Sequence, residues 1–533
     1  MKAIVSVLLA VLTAVAAAQD QGLPAFREAV EVRVMDLDVV VTDSRGRPVP
    51  DLARQDFSVK VDGKPVAIDY FARVEEGAIH APDLASAPPE RVLAEYRKGQ
   101  DAYVPRHFLI YVDTGHLAPS NRNRALEALK DLIARLGPGD TGRVVLFDRR
   151  TRDLTPWTNS KETLLSALSR MDSAVGMSRL MNEQQTLREI DAVGSRSSRV
   201  ASARNYAEQE RVEVRQMLND MGSEVTTLTA LPGKKAFVFV SGGFETQPGY
   251  AMTQYATGRF SLSFTDVRNM SSEIDAVIKR ANASDVTFYT IDARGLTAEG
   301  GSASNDDPLA NRPGVAFIAR EDSQAGMQLL ARDTGGLALV NTNDFERGLG
   351  RVYQDTSSYY SIGINVSRLA AGYRDVKVEV SRPGMTVRAR RGYAARSGEQ
   401  RARDVTQAAL RTNVEYRGIP VTLRLAPARK EKKYYSLPIS MTLPASALTF
   451  TPQGEGSQAK ADVFVGAMDD SGNTSDIGRE EAVFNLPKGA PAQAALTYVV
   501  TLQTRKGNQR IVVNVQDRVS GRMGTAKADV RVE

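Results

Sequence analysis

The chain has 533 residues, of which 42% are hydrophobic, 25% charged and 6% aromatic. That balance excludes a disordered or fibrous polypeptide, and at roughly 100–200 residues per domain it leaves room for about three domains. The net charge of +6, from 69 Lys+Arg against 63 Asp+Glu, is spread along the chain, whereas a nucleic-acid binder concentrates its basic residues. There are no cysteines, which excludes disulfides, thiol catalysis, Cys-based zinc sites and iron–sulfur clusters.

Residues 1–18 read as a secretory signal peptide. Lys2 supplies the positive start, Ile4 to Val15 is apolar apart from Ser6 and Thr13, and Ala16-Ala17-Ala18 offers a small-residue cleavage site. The mature protein is therefore expected in the periplasm or secreted. No interior stretch is long and apolar enough to span a bilayer.

Residues 28–75 carry the first part of a small β-domain. Val30, Val32 and Val34 alternate with charged residues, Val39 and Val41 continue with a one-residue phase change, and this predicts a break near Met35–Asp36. Phe57, Val59 and Val61 alternate again, and Asp62-Gly63 predicts a hairpin turn. Residues 76–104 read as a connector with a short helix near 90–98.

From 105 to 356 strands alternate with helices. Phe108 to Val112, Val144 to Phe147, Ala236 to Val240 and Val286 to Ile291 are continuous apolar runs, as expected of strands buried on both faces. Ser120 is the expected cap of a helix with stripe Leu126, Leu129, Ile133 and Leu136. Residues 176–220 are polar, with Val214, Met217, Leu218 and Met221 at helical spacing. This alternation implies a mostly parallel sheet covered on both faces.

Residues 357–396 return to alternating strands and are expected to pair with 28–75, so that the α/β domain is inserted in one β-domain. Arg388, Arg390, Arg391, Arg396, Arg401 and Arg403 read as a solvated strand face running into a basic linker at 397–416. Residues 417–533, with short strands and regular turns, predict a C-terminal β-sandwich. The expected class is thus multidomain, α/β plus all-β, with a doubly wound, mostly parallel sheet.

From His107 to about Asp355 the order of elements resembles a von Willebrand factor A (VWA) domain: an apolar strand ending in Asp113, a helix after it, a strand ending at Ser241-Gly242-Gly243, and the run Val286–Asp292. The chain as a whole resembles the acidobacterial-type VWFA-related family. The supporting stretches are Val39–Asp43 with Asp56-Phe57, Asp113–Arg124, Leu330–Gly336, Tyr359–Gly363 and Val387–Tyr393. The resemblance implies an exported, non-enzymatic binding protein.

It also implies a question about metal. VWA domains often hold a divalent cation on an Asp-x-Ser-x-Ser motif, a Thr and a second Asp, because Mg²⁺ wants about six oxygens. Here Asp113 is kept, but the two Ser positions fall on Gly115 and Leu117 and the second Asp on Gly242. Thr226 or Thr227 are candidates for the Thr. The expectation is a degenerate site with no metal and no other cofactor. Asp113, Thr114, His116, Ser120, Ser241 and Glu245 are the candidate ligand-binding face, on the loops after three central strands.

The expected function is a protein-binding or adhesion module with a protein partner of unknown identity, no nucleic-acid partner and an open oligomeric state. One alternative is a structural or assembly component of the cell envelope, docking through the polar helical stretch 178–220. The other is a Ser-dependent hydrolase using His116 and Asp113 with Ser120 or Ser241. No Gly-x-Ser-x-Gly, His-Glu-x-x-His or phosphate-binding Gly-rich loop is present, so no enzymatic activity is expected.

Overall fold

The structure is a computed structural model that describes residues 34–80, 103–172, 178–229, 231, 233–258, 269–296, 312–366, 372–395, 397–411, 416–431, 434–491 and 493–533. The expected signal peptide and the expected helix at 90–98 lie outside the described residues. Two compact units are present, one spanning Val34–Ala395 and the other containing Arg396–Glu533.

The first unit opens with β1 (Val34–Thr42), β2 (Phe57–Val61), β3 (Lys64–Val66), β4 (Tyr70–Glu75) and β5 (Ala78–His80). Its central part holds β6 (Arg106–Asp113), α1 (Pro119–Ala134), β7 (Thr141–Phe147), β8 (Thr151–Asp153) and α2 (Lys161–Asp172). It continues with α3 (Ser178–Ala192), α4 (Arg196–Leu228), β9 (Lys234–Ser241), α5 (Tyr250–Thr257) and α6 (Ser271–Ala283). Then come β10 (Val286–Asp292), α7 (Pro313–Asp333), β11 (Ala338–Leu339) and α8 (Phe345–Ser357). The unit ends with β12 (Tyr359–Asn365), β13 (Gly372–Val380), β14 (Thr386–Arg388) and β15 (Gly392–Ala395).

Six strands form one sheet in the order β11-β10-β9-β6-β7-β8. All its pairings are parallel except that of the edge strand β8. Successive side chains of β6 leave on opposite faces. Phe108, Ile110 and Val112 join a core with Leu126, Leu129 and Ile133 of α1, Leu164 and Leu168 of α2, and Leu349 and Val352 of α8. On the other face Tyr111, Phe237 and Phe288 pack ring on ring, with centroids 5.5 and 4.3 Å apart. There Arg143 of β7 reaches Glu224 of α4 at 2.7 Å, and Thr290 of β10 donates to the Met327 carbonyl of α7 at 3.1 Å. Burial on both faces explains the unbroken apolar runs.

The flanking strands form two further sheets, β14-β1-β12-β4-β5 and β15-β13-β2-β3. Strands from before and after the α/β part pair directly: Leu37 lies opposite Ile362, and Val59 opposite Val378. One core joins the two sheets, with Phe57, Phe71 and Tyr360 in mutual ring contact. The expected break at Met35–Asp36 is absent. β1 runs through it and changes partner, pairing with β12 over 34–39 and with β14 over 40–42. Val40 as well as Val39 is buried, so both faces are covered and the period-2 signal vanishes without any bulge.

Of the expected solvated face, Arg390 is buried and Arg388 half-buried instead. Arg388 forms a two-pronged pair with Asp355 at 2.5 and 2.7 Å, and Arg390, 8% exposed, reaches Asp285 and donates to the Asn282 carbonyl at 2.6 Å. Alternation along the strand points both toward acidic groups that are remote in sequence.

The second unit replaces the expected linker at 397–416 with α9 (Gly398–Arg411). Its Ala402, Val405 and Ala409 recur at helical spacing and are buried, but small alanines in a charged stretch give a faint sequence signal. The remaining strands build two antiparallel sheets around one core. In that core, Leu437, Ile439 and Met441 meet Val463, Val465, Ile511 and Val513. On the far side α9 packs against Phe464 and Val512, and Asn514 donates to the Ala402 carbonyl at 3.0 Å. Among the described residues no helix is long and apolar enough to cross a membrane.

Candidate functional site

In the six-stranded sheet β6 lies in the middle. The chain passes from it to β7 on one side and returns to β9 on the other. The strand order thus reverses between β6 and β9, and in open α/β sheets it is at the carboxyl ends of the strands flanking such a reversal that ligands bind. Asp113 ends β6 and Ser241 ends β9, and both are fully buried.

Asp113 is saturated by its own chain. Its Oδ1 accepts from the Gly115 amide at 3.1 Å and its Oδ2 from the Ser241 hydroxyl at 2.7 Å. The His116 Nδ1 lies 2.5 Å from that same Oδ2. On the other side of the ring, Nε2 faces Glu210 of α4 at 3.6 Å. Neither ring nitrogen makes an aligned hydrogen bond, so the imidazole is held as an ion pair on each side.

The network continues through Arg179 in the first turn of α3. Its Nε lies 2.7 Å from Glu210, its second guanidinium arm 2.7 Å from Glu245, and its backbone N–H donates to the Gly115 carbonyl at 3.3 Å. The other oxygen of Glu245 accepts from the Gly249 amide at 2.5 Å. Thr114 is buried and tied to β7, its amide donating to the Phe147 carbonyl at 2.9 Å.

Burial and proximity set the protonation of these groups. Burial by itself depresses the His116 imidazole, but Asp113 and Glu210 outweigh it and push it up to about 9. Burial raises Glu210, yet Arg179 and His116 hold it down to about 2. For Glu245 burial wins over Arg179 and, with Glu210 beside it, pushes the carboxyl up to about 8. At neutral pH, His116 and Arg179 are thus two buried cations among Asp113, Glu210 and Glu245.

The sequence-predicted residues separate into groups. Asp113, Thr114, His116, Ser241 and Glu245 do come together, but all five are buried, so they form the support of the face rather than its surface. Ser120 does not cap α1: the helix begins at Pro119 after Ala118, and the fixed φ of proline suits that first position. The Ser120 side chain lies outside the described residues. Thr226 and Thr227 are remote, at the end of α4 leading into the start of β9, where Thr227 accepts from Arg143 at 3.3 Å.

Sequence reasoning missed Arg179 and Glu210. Glu210 had a signal: Tyr206 and Glu210 extend the stripe Val214, Met217, Leu218 and Met221 by single helical turns, and all are buried. A carboxylate on an apolar stripe is a buried group in need of a cation. Asp292, which ends β10, was likewise passed over; its two oxygens accept from Arg294 at 2.9 and 2.8 Å and from Gln324 at 2.7 Å.

The donor set does not fit a magnesium-like cation. Gly115, Leu117 and Gly242 supply no side-chain oxygen, and the Asp113 oxygen nearest Ser241 already meets His116. Among the described residues no group of three or more His, Asp or Glu side chains is arranged to hold a metal ion. Ser241 donates to Asp113 and not to His116, so it is not paired with the imidazole as the nucleophile of a Ser-His-Asp triad would be.

Gly242 has a steric role. A Cβ there would overlap the His116 carbonyl oxygen, a backbone atom that cannot swing aside. Gly242→Ala is therefore expected to destabilise the first unit by about 1–3 kcal/mol, the usual cost of overpacking. Thermal unfolding followed by the fluorescence of Trp157, the sole tryptophan, checks this on the intact chain; an unchanged midpoint would contradict it.

No protein-family model matches the chain, and no curated protein does. Solved structures similar to it include a von Willebrand factor type A protein from Catenulispora acidiphila, at 12% identity over 90% of this chain and 73% of that one, with a TM-score of 0.25. The vWF domain of the type V pili tip protein Mfa5 from Porphyromonas gingivalis is similar at 12% identity, 47% of this chain, 94% of that one and a TM-score of 0.25. So is an aerotolerance-related membrane protein from Bacteroides fragilis, at 12%, 48%, 98% and 0.25.

Proposed function

We propose that the protein is an exported, VWA-like protein-binding or adhesion module that works without enzymatic chemistry. The six-stranded sheet is its doubly wound core, and residues 417–533 form a β-sandwich that helps present it. The observation that carries this reading is the reversal of strand order between β6 and β9, with the carboxyl ends of the two strands packed by side chains that already satisfy one another. A face built over such a network offers a partner its shape and the exposed side chains around it, not a reactive group. The pairing of Ser241 with Asp113 instead of His116 supports binding over hydrolysis.

Because Asp113 and Glu245 are buried, substituting them would disturb the fold and blur any binding result. The exposed apolar residues at the same end of the sheet are cleaner probes. Leu296 follows β10 and is 62% exposed, and Phe317, in the first turns of α7, is 61% exposed. Leu296→Asp combined with Phe317→Asp is expected to lower recovery of partner protein from envelope and culture fractions by roughly tenfold, the effect of losing about 1.4 kcal/mol of binding, while leaving the unfolding midpoint unchanged. Full recovery by the double variant would count against this face as the binding surface.

A further inference from the structure

We propose that the chain carries its own cation in place of a divalent metal at the β6–β9 junction: His116 and Arg179 balance the buried carboxylates there, and Gly242 is the residue that admits them. The inference rests on the VWA-like reading only for the expectation that a metal belongs at this place. The contacts stand without it.

Three departures from a metal-holding motif are one structural change. The backbone after Asp113 folds back so that the His116 carbonyl lies against Gly242, where any Cβ would collide with it. A second aspartate at 242 is therefore incompatible with this loop. The same fold brings Nδ1 of His116 to the Asp113 oxygen at 2.5 Å, and the buried Leu117, 0% exposed, closes the loop with hydrocarbon. A serine at 117 would give up that apolar packing.

The long insertion supplies the rest. α3 brings Arg179 and α4 brings Glu210, and the Arg179 amide is bonded to the Gly115 carbonyl at 3.3 Å, which fixes the insertion to the loop itself. A metal ion must shed water and find about six oxygens. An imidazolium and a guanidinium need only opposed carboxylates, which Asp113 and Glu210 provide, while the Glu245 carboxyl accepts the second arm of Arg179. The junction is thus ordered with no ion from solution, and an acidic group of a partner cannot complete it as it would complete an open metal site.

The test uses the full chain and Mn²⁺ alone. The chain has three histidines, His80, His107 and His116, so their ring ¹⁵N resonances are assignable with one His→Gln variant each. Addition of Mn²⁺ is expected to leave the His116 resonance unbroadened, and the unfolding midpoint is expected to be the same with Mg²⁺ or EDTA. Selective broadening of His116, or a midpoint raised by Mg²⁺ and insensitive to it in Asp113→Asn, would overturn the proposal. Manganese uptake that spares His116 supports it, because the ion is then elsewhere. His116→Gln, which keeps size and removes charge, is expected to lower the midpoint by roughly 5 °C or more; a variant within about one degree of the parent would overturn the charge-balancing role. None of these readouts depends on a partner, so failure here leaves the binding face to be judged by partner recovery.

Discussion

Arg179→Met is expected to destabilise the Val34–Ala395 unit by about 3–5 kcal/mol, the usual consequence of removing one member of a buried charge group. Methionine matches the length of the stem and fills most of its space, so packing is nearly conserved. What is lost is the guanidinium that lies 2.7 Å from both Glu210 and Glu245. The Glu210 carboxylate is then left in a dry site with only His116, already paired with Asp113, to oppose it. Urea unfolding read by Trp157 fluorescence reports on this unit and not on the second. The double variant Arg179→Met with Glu210→Gln is expected to recover part of the loss, since it removes the stranded charge as well, and the coupling between the two changes measures their interaction. A single variant within about 1 kcal/mol of the parent would show that the network does not hold the unit together.

Stability of the same unit is expected to fall as pH rises from about 6.5 to about 9. His116 has an ordinary value of 6.5 and is pushed up to about 9 in the folded chain. Its contribution, on the order of 3 kcal/mol for such a shift, is complete below 6.5 and is lost as pH climbs through 9. Glu245, raised from 4.5 to about 8 by burial, acts in the same direction: the folded state favours its neutral form, and that advantage disappears as pH passes 8. Glu210 works at the other end. Held down to about 2, it stabilises above 4.5 and ceases to do so as pH falls toward 2. The groups facing the imidazole are Asp113 from β6, Arg179 from α3, and Glu210 and Glu213 from α4, while Glu245, from the segment after β9, faces Arg179. Urea midpoints taken from pH 6 to 9.5 should decline, and His116→Gln should remove the part of the decline above pH 8 that Glu245 does not supply. A level profile in the parent would refute the assignment of buried cations.

The parts of the fold legible in the sequence share one property. Runs such as Phe108–Val112 and Ala236–Val240 announce strands because every residue in them is apolar, and that is a local fact. The stripe of α1 is legible for the same reason. The partner switch of β1 is not, because continuous burial at Val39 and Val40 and a bulge produce the same interruption of alternation. α9 is obscured by its reliance on alanine. Arg388 and Arg390 look solvated because nothing near them in sequence is their partner; Asp355 and Asp285 come from other elements.

The candidate site divides along the same line. Asp113, His116 and Ser241 stand out in the sequence through a motif and its departures. Their burial, and the two residues that bind them into a unit, come from a polar insertion that reads as a solvated surface.

The sequence by itself determined the alternating order of strands and helices and the loss of oxygen donors at 115, 117 and 242, because side-chain periodicity and donor chemistry are written residue by residue. Only the tertiary structure decided that His116 and Arg179 would be buried against Asp113, Glu210 and Glu245. The physical reason is that a charge is tolerated in the interior solely by through-space neighbours, and here they are separated by up to about a hundred residues of chain.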